Sequence, residues 1–223
     1  MPSGVIELII LAGIAVFLLF RLRGVLGTKT GFEEQQHRPI PRAEATRPAA
    51  PPPAPLPDEG VDEDSAAAAG GDTEIAEALA AMRRAEEGFS PRAFVQGARG
   101  AYEMILMAFE QGDLDTLRRF LAPDVYAGFA EAIEGRRAAG YTVEARFIGV
   151  REAKIVGARF DPETADAEIA IRFKGEMITA VHDAEHRVIE GDPNEIRRET
   201  DVWTFARRMG ASDPNWLLVA TGE

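Results

Sequence analysis

His182-Asp183-Ala184-Glu185-His186 has the spacing H-x-x-E-H. On a helix, histidines four residues apart share one face and can bind zinc, with the glutamate between them acting as general base. Met177, Ile178, Val181, Ala184 and Val188 would permit that helical phase. The chemistry also needs a third ligand and a substrate groove, and only 37 residues follow His186 to supply them. Two histidines on a solvated turn is the simpler expectation, so no metal site is assigned. Cysteine is absent, which excludes disulfides, thiol nucleophiles and thiolate metal centres. No serine sits in a nucleophile elbow, no glycine-rich phosphate loop occurs, and the remaining histidine, His37, lies in a proline-rich stretch. Acid pairs such as Asp113 and Asp115 suit helix capping. The expectation is a non-enzymatic chain with no catalytic residue and no cofactor.

Aromatic residues offer a different kind of site. Tyr126, Phe129, Trp203, Phe205 and Trp216 could line an apolar pocket, although large aromatics on strands more often build core. If such a pocket converted its ligand, Tyr126, Tyr141 and Asp201 are the ionisable groups that could work in it.

Helices followed by strands must position these residues. Ile75, Leu79 and Met82 give a thin apolar stripe over a short helix at 73–87. Ser90-Pro91 starts a stronger helix, with Phe94, Ala98, Ala101, Tyr102, Ile105 and Phe109 on one face until Gly112. Asp113 caps another helix, bearing Leu114, Leu117, Phe120 and Leu121. Pro123 opens one with Val125, Tyr126, Phe129 and Ile133 inward, Arg136 and Arg137 near its C-terminal end, and Gly140 after it. Alternation then replaces the helical period at Val143, Ala145 and Phe147, and again at Ala167, Ile169, Ile171 and Phe173. Asp161-Pro162-Glu163 forms the turn between these strands. Val202 to Arg207 and Trp216 to Thr221 make a last pair around Ser212-Asp213-Pro214-Asn215. Helices first and antiparallel strands after them give an α+β domain near 88–223.

The rest of the chain is organised differently. Val5 to Phe20 carries one charge, Glu7, and with Met1 to Gly4 reaches the ~20 residues that cross a bilayer as a helix. Arg21, Arg23 and Lys29 follow it as a basic flank, so the positive-inside rule places the C-terminal bulk in the cytoplasm of a single-pass inner-membrane protein. A cleaved signal would carry its basic residues before the apolar run, and a core helix would need a polar face. Between the anchor (1–27) and the short helix, residues 28–72 hold eight of the fourteen prolines between Pro39 and Pro57. The acidic run Asp58 to Asp64 and the stretch Ser65 to Gly71 follow. This segment reads as a disordered tether. Its arginines Arg38, Arg42 and Arg47 lie nearer the anchor than its acids, an order suited to anionic lipid, though a solvated spacer would look the same. A net charge of −12 opposes nucleic-acid binding.

Several strings, taken in order, resemble a known family. They are Gly97-Ala98, Tyr102-Glu103-Met104-Ile105, Phe109, Gly112-Asp113, Val125-Tyr126, Phe129, Ile133 and Gly140. Near the end come Gly191-Asp192-Pro193, Asp201-Val202-Trp203-Thr204-Phe205-Ala206-Arg207 and Ser212 to Trp216. Together, over roughly 88–221, they resemble the Tim-forty-four-like domain family, named for the inner-membrane translocase of mitochondria, in its bacterial TimA-type adaptor form. The resemblance implies a nuclear-transport-factor-two-like cone, with about three helices on a curved antiparallel sheet around an apolar cavity. It also implies a membrane-tethered adaptor or scaffold that binds a partner protein or the inner-membrane surface in protein translocation or envelope assembly. A small apolar ligand held in the cone is the alternative. A ribosomal relative in the same superfamily would imply RNA binding, which the acid excess opposes. The long region that precedes this domain in the mitochondrial proteins is replaced here by anchor and tether.

Overall fold

The computed structural model describes residues 62–222. The expected anchor with its flank Arg21, Arg23 and Lys29, and the tether as far as residue 61, lie outside the described residues. Among the described residues no helix is long and apolar enough to cross a membrane. Five helices come first among these residues: α1 (Glu63–Ala69), α2 (Thr73–Ala85), α3 (Pro91–Gln111), α4 (Leu114–Phe120) and α5 (Pro123–Ala138). Strands β1 (Thr142–Phe160), β2 (Asp166–His182), β3 (Val188–Gly191), β4 (Arg197–Arg208) and β5 (Leu217–Gly222) follow.

Three of the five helices are those expected on the sheet and α2 is the short helix expected at 73–87; α1 is additional, because folded structure begins earlier than residue 73. Residues 63–69, expected to belong to the disordered tether, form α1. The Asp62 side chain accepts the Ser65 N–H at its start, and Gly70 at φ 62 stops it. Four alanines between those caps are strong helix formers, small enough for close packing, and Ser65 and Ala69 are buried. Arg83 of α2 reaches back to Asp62 at 2.6 Å. Helix α2 docks against β1, burying Leu79 and Met82 completely. Each such side chain contributes roughly 1.5–3 kcal/mol, enough to decide docking over mobility.

Helix α3 starts where Ser90 accepts the Ala93 N–H and ends at Gly112, whose φ of 69 suits glycine. Its buried face is Phe94, Ala98, Tyr102, Ile105 and Ala108. Asp113 caps α4 by accepting the Thr116 N–H. Helix α5 buries only Ile133, while Val125, Tyr126 and Phe129 stay half-buried against the core.

All strand pairs are antiparallel, in the order β1-β2-β4-β5, with β3 beside the end of β2. Strand β1 runs past Phe147 to Phe160 because three register shifts, at Phe147/Gly149, Val150/Glu152 and Ile155/Gly157, interrupt the two-residue period without breaking the pairing. Such bulges bend a strand, and the sheet curves around the helices. Ile155, Ile169, Ile171, Phe173, Trp203, Phe205 and Leu218 face the helices as one buried layer. Tyr102 stacks on Phe173 at 4.4 Å and lies 4.7 Å from Trp203. Gly175 makes room for it, since a Cβ there would sit 2.7 Å from the Tyr102 hydroxyl. A polar clasp joins α2 to the sheet. Glu86 accepts an Arg207 N–H at 2.7 Å and the Gly210 backbone N–H at 2.7 Å, and Arg207 lies over the Trp216 ring.

Candidate partner-binding site

Residues 182–186 do not form a helix. His182 ends β2 opposite Val188, and the next residues turn into β3. Asp183 organises that turn: its carboxylate accepts the backbone N–H groups of Glu185 at 3.0 Å and Arg187 at 2.9 Å, and the Arg187 Nε–H at 2.7 Å. His186 takes a positive φ of 63. The two histidines therefore lack the shared helical face that the zinc arrangement needs.

The five aromatic residues expected around a pocket separate into three groups. Trp203 and Phe205 lie in the buried layer, where Phe94 meets Phe205 edge-on at 6.1 Å and Trp216 at 4.6 Å. Phe129 packs on Phe109 at 5.1 Å. Tyr126 lies apart from both, its hydroxyl accepting an Arg118 N–H at 2.9 Å. Rings pack on rings between helices and sheet, where the cavity was expected. Tyr141 is half-buried at the approach to β1. Of the three ionisable candidates, only Asp201 belongs to a buried polar constellation: it accepts the Tyr102 hydroxyl at 2.6 Å.

That constellation lies at the mouth of the curved sheet. Alternation along β4 turns Arg197, Glu199 and Asp201 toward the helices, on the same face as Trp203 and Phe205. Helix α3 brings Glu110, which pairs with Arg136 of α5 at 2.9 Å. Burial pushes the Glu110 carboxyl above its ordinary value; Arg136 offsets part of this, and the charge of Glu190 on β3 adds to it. Glu199 is raised by burial first and then by the charge of Asp201. Tyr102 is raised by burial and by its bond to Asp201, so it remains a phenol that donates. Carboxyl groups held this way favour whatever cation can reach them, whether a proton or a basic side chain.

Beside this mouth the chain runs out as an arm. Every residue from 184 to 198 is exposed, and Val188, Ile189 and Ile196 are 46%, 46% and 47% exposed, although all three are large aliphatics. Among the described strands, β3 pairs with β2 alone. Sequence reasoning missed Glu110, Arg136, Glu190, Arg197 and Glu199 as a group. One signal was available: the period-two face of Trp203 and Phe205 continues backward through Asp201, Glu199 and Arg197, putting charge on a face that is otherwise apolar.

Comparison with known proteins gives a consistent placement. Residues 75–223 match the family model described as the Tim44-like domain. The match begins within α2, ahead of the boundary expected at residue 88. The chain is 23% identical over 150 residues to the mitochondrial import inner membrane translocase subunit TIM44 of Homo sapiens, covering 66% of this chain and 33% of that protein. The Mus musculus protein of the same name is 22% identical over 150 residues, with the same coverage. The chain thus spans about a third of the length of these relatives. Among solved structures, the intermembrane space region of the chloroplast protein ARC6 is similar at 9% identity and a TM-score of 0.41, covering 57% of this chain and 94% of that one. This likeness is too distant to argue from.

Proposed function

Since the chain belongs to the Tim44-like domain family, we propose that it is a membrane-tethered, non-enzymatic adaptor that holds a partner protein at the inner-membrane surface. The names of its relatives, subunits of a mitochondrial import translocase, support a role in protein transport. The observation that carries the reading is the contrast between a concave face filled by Tyr102, Phe173, Trp203 and Phe205 and an arm at 184–198 that lies wholly in solvent. What this domain offers a ligand is surface. The helices packed on a curved sheet suit the nuclear-transport-factor-two-like cone, with side chains in place of a guest. A small apolar ligand would have to displace these rings.

In this reading Val5 to Phe20 anchors the chain, Arg21, Arg23 and Lys29 keep the domain on the cytoplasmic side of a bacterial inner membrane, and the proline-rich tether sets its reach. Anionic lipid then serves the tether as a secondary contact. Cross-linking of the full-length chain in native membranes tests the proposal. A reproducible protein partner is expected. The reading fails if no partner is captured and the full-length chain also shows no preference for anionic over neutral vesicles.

A further inference from the structure

The adaptor reading leaves open what kind of segment is held, and β3 carries the observations that bear on it. Val181 pairs with Glu190 and His182 with Val188, and the irregularity between these pairs puts Glu190 and Val188 on opposite faces of the sheet. Glu190 looks toward the helices and Glu110; Val188 looks the other way. A strand laid along the free edge of β3 would therefore meet a carboxylate with one residue and an aliphatic side chain with the next.

Charge decides what such a strand must carry. From Asp183 to Arg198 the arm holds Asp183, Glu185, Glu190, Asp192 and Glu195 against Arg187, Arg197 and Arg198. Arg187 is committed within the arm, to Asp183 at 2.6 Å and to Glu185 at 3.3 Å, and Arg198 is committed to Glu176 at 3.0 Å. Glu110 and Glu199 stand behind Glu190 at the mouth, balanced by Arg136 and Arg197. A second copy of the chain would bring one acidic arm against another, and like charges across a strand pair disfavour it. An anionic membrane would meet the same repulsion. An exposed edge with charged neighbours is guarded against its own kind while remaining open to a strand of opposite sign.

We propose that the free edge of β3 takes up an extended segment of a partner protein in which basic and aliphatic side chains alternate. Basic residues face Glu190 and the mouth carboxylates; aliphatic residues cover Val188. The inference rests on the adaptor reading and names the chemistry of what is held.

The test uses the full-length chain in mild detergent and a labelled eight-residue peptide of alternating lysine and valine, followed by fluorescence anisotropy. Saturable binding is expected, weakened roughly tenfold by the double substitution Glu190→Lys with Glu195→Lys. Both residues are exposed, so the variant keeps its core. The same peptide N-methylated at alternate residues is expected to bind far more weakly, because a strand without those N–H groups cannot complete the ladder. Failure of the lysine peptide to bind overturns the proposal. So does equal binding of a glutamate–valine peptide, of the methylated peptide, or to the double variant. Arm-dependent self-association or adsorption to anionic vesicles, each lost in the double variant, would overturn it in favour of another occupant. If the peptide result is negative while the native partner is still cross-linked, the edge proposal falls and the adaptor reading stands.

Discussion

The two faces of the same sheet treat their carboxylates in opposite ways. On the face away from the helices, Glu176 sits between Arg151 at 2.8 Å and Arg198 at 3.0 Å, and their hydrogen bonds, Arg151 first, hold its carboxyl below the ordinary range. Glu152 is lowered there too, first by its bond from Lys174. On the helix-facing side, Glu199 and Glu110 are raised. Glu199 lies next in sequence to Arg198, so one step along β4 moves from a face where bonds from basic side chains lower the carboxyls to a mouth where burial raises them. The outer face spends its charges on stability. The mouth holds its carboxyls raised, chiefly by burial, which favours a proton or a cationic group beside them.

The largest effects are expected where the mouth is built on packing. Trp203→Ala removes a ring that touches Tyr102, Phe173 and Phe205, and is expected to cost about 3–5 kcal/mol in chemical denaturation. An outer-face truncation such as Thr204→Ala, on the same strand, is expected to stay within ~0.5 kcal/mol. Gly175→Ala comes next. Its Cβ would lie 2.7 Å from the Tyr102 hydroxyl and 3.0 Å from the ring, and Tyr102 is pinned between Phe173 and Asp201. Overpacking of this kind is expected to cost about 1–3 kcal/mol. A melt unchanged by Gly175→Ala would mean that the ring has room to move and that the mouth is looser than its geometry implies.

How much of this was legible in the sequence follows from which patterns are local. Ser90-Pro91, Asp113 and Gly112 announce α3 and α4 through cap chemistry confined to a few residues, and the structure uses them as such. Val143 to Phe147 announces only the first stretch of β1, because each later bulge shifts the period by one residue while pairing with β2 continues. Helix α1 was hidden by composition: Ser65 to Ala69 looks like low complexity and masks the caps at Asp62 and Gly70, and the packing that buries Ser65 and Ala69 is what docks the helix. The mouth was hidden for a different reason. Glu110, Arg136, Glu190 and Glu199 lie on four elements, and no spacing along the chain brings them together before the sheet curves. The aromatic candidates were legible as core but not as a set: Phe205 and Trp216 share Phe94 and Trp203 packs on Phe205, whereas Phe129 of α5 packs on Phe109 and Tyr126 meets Arg118.

Single carboxamide substitutions sharpen the comparison at smaller cost. Glu199→Gln removes a charge that burial and Asp201 both oppose, and is expected to raise the melting temperature at neutral pH by roughly 1–2 °C. Glu176→Gln leaves Arg151 and Arg198 facing each other without their shared carboxylate, and is expected to lower it. Opposite signs from one chemical change on two faces are the result to look for in thermal melts. A drop in both would show that Glu199 is satisfied and that the mouth is an ordinary ion-pair network.

The smallest effect is a slope rather than a step. Glu199 has an ordinary value of 4.5 and a raised one in the fold, so between those two values the folded chain binds more protons than the unfolded one. Stability contributed by this group therefore falls as pH rises through that window. Glu86 and Glu176 are lowered from 4.5, the first chiefly by Arg207 and the second by Arg151. Their contribution is present above 4.5 and is lost as pH falls through their folded values. Wild-type stability should thus decline on the acid side through the clasp and the outer face, and decline gently above 4.5 through the mouth. Glu199→Gln should flatten only the upper decline, and Glu86→Gln only the lower one. Denaturant midpoints measured from pH 3 to pH 7 for the three proteins separate these contributions. A Glu199→Gln profile parallel to wild type above pH 4.5 would mean that the mouth does not hold its carboxyl against ionisation, leaving β3 to attract a basic strand by its own acids alone.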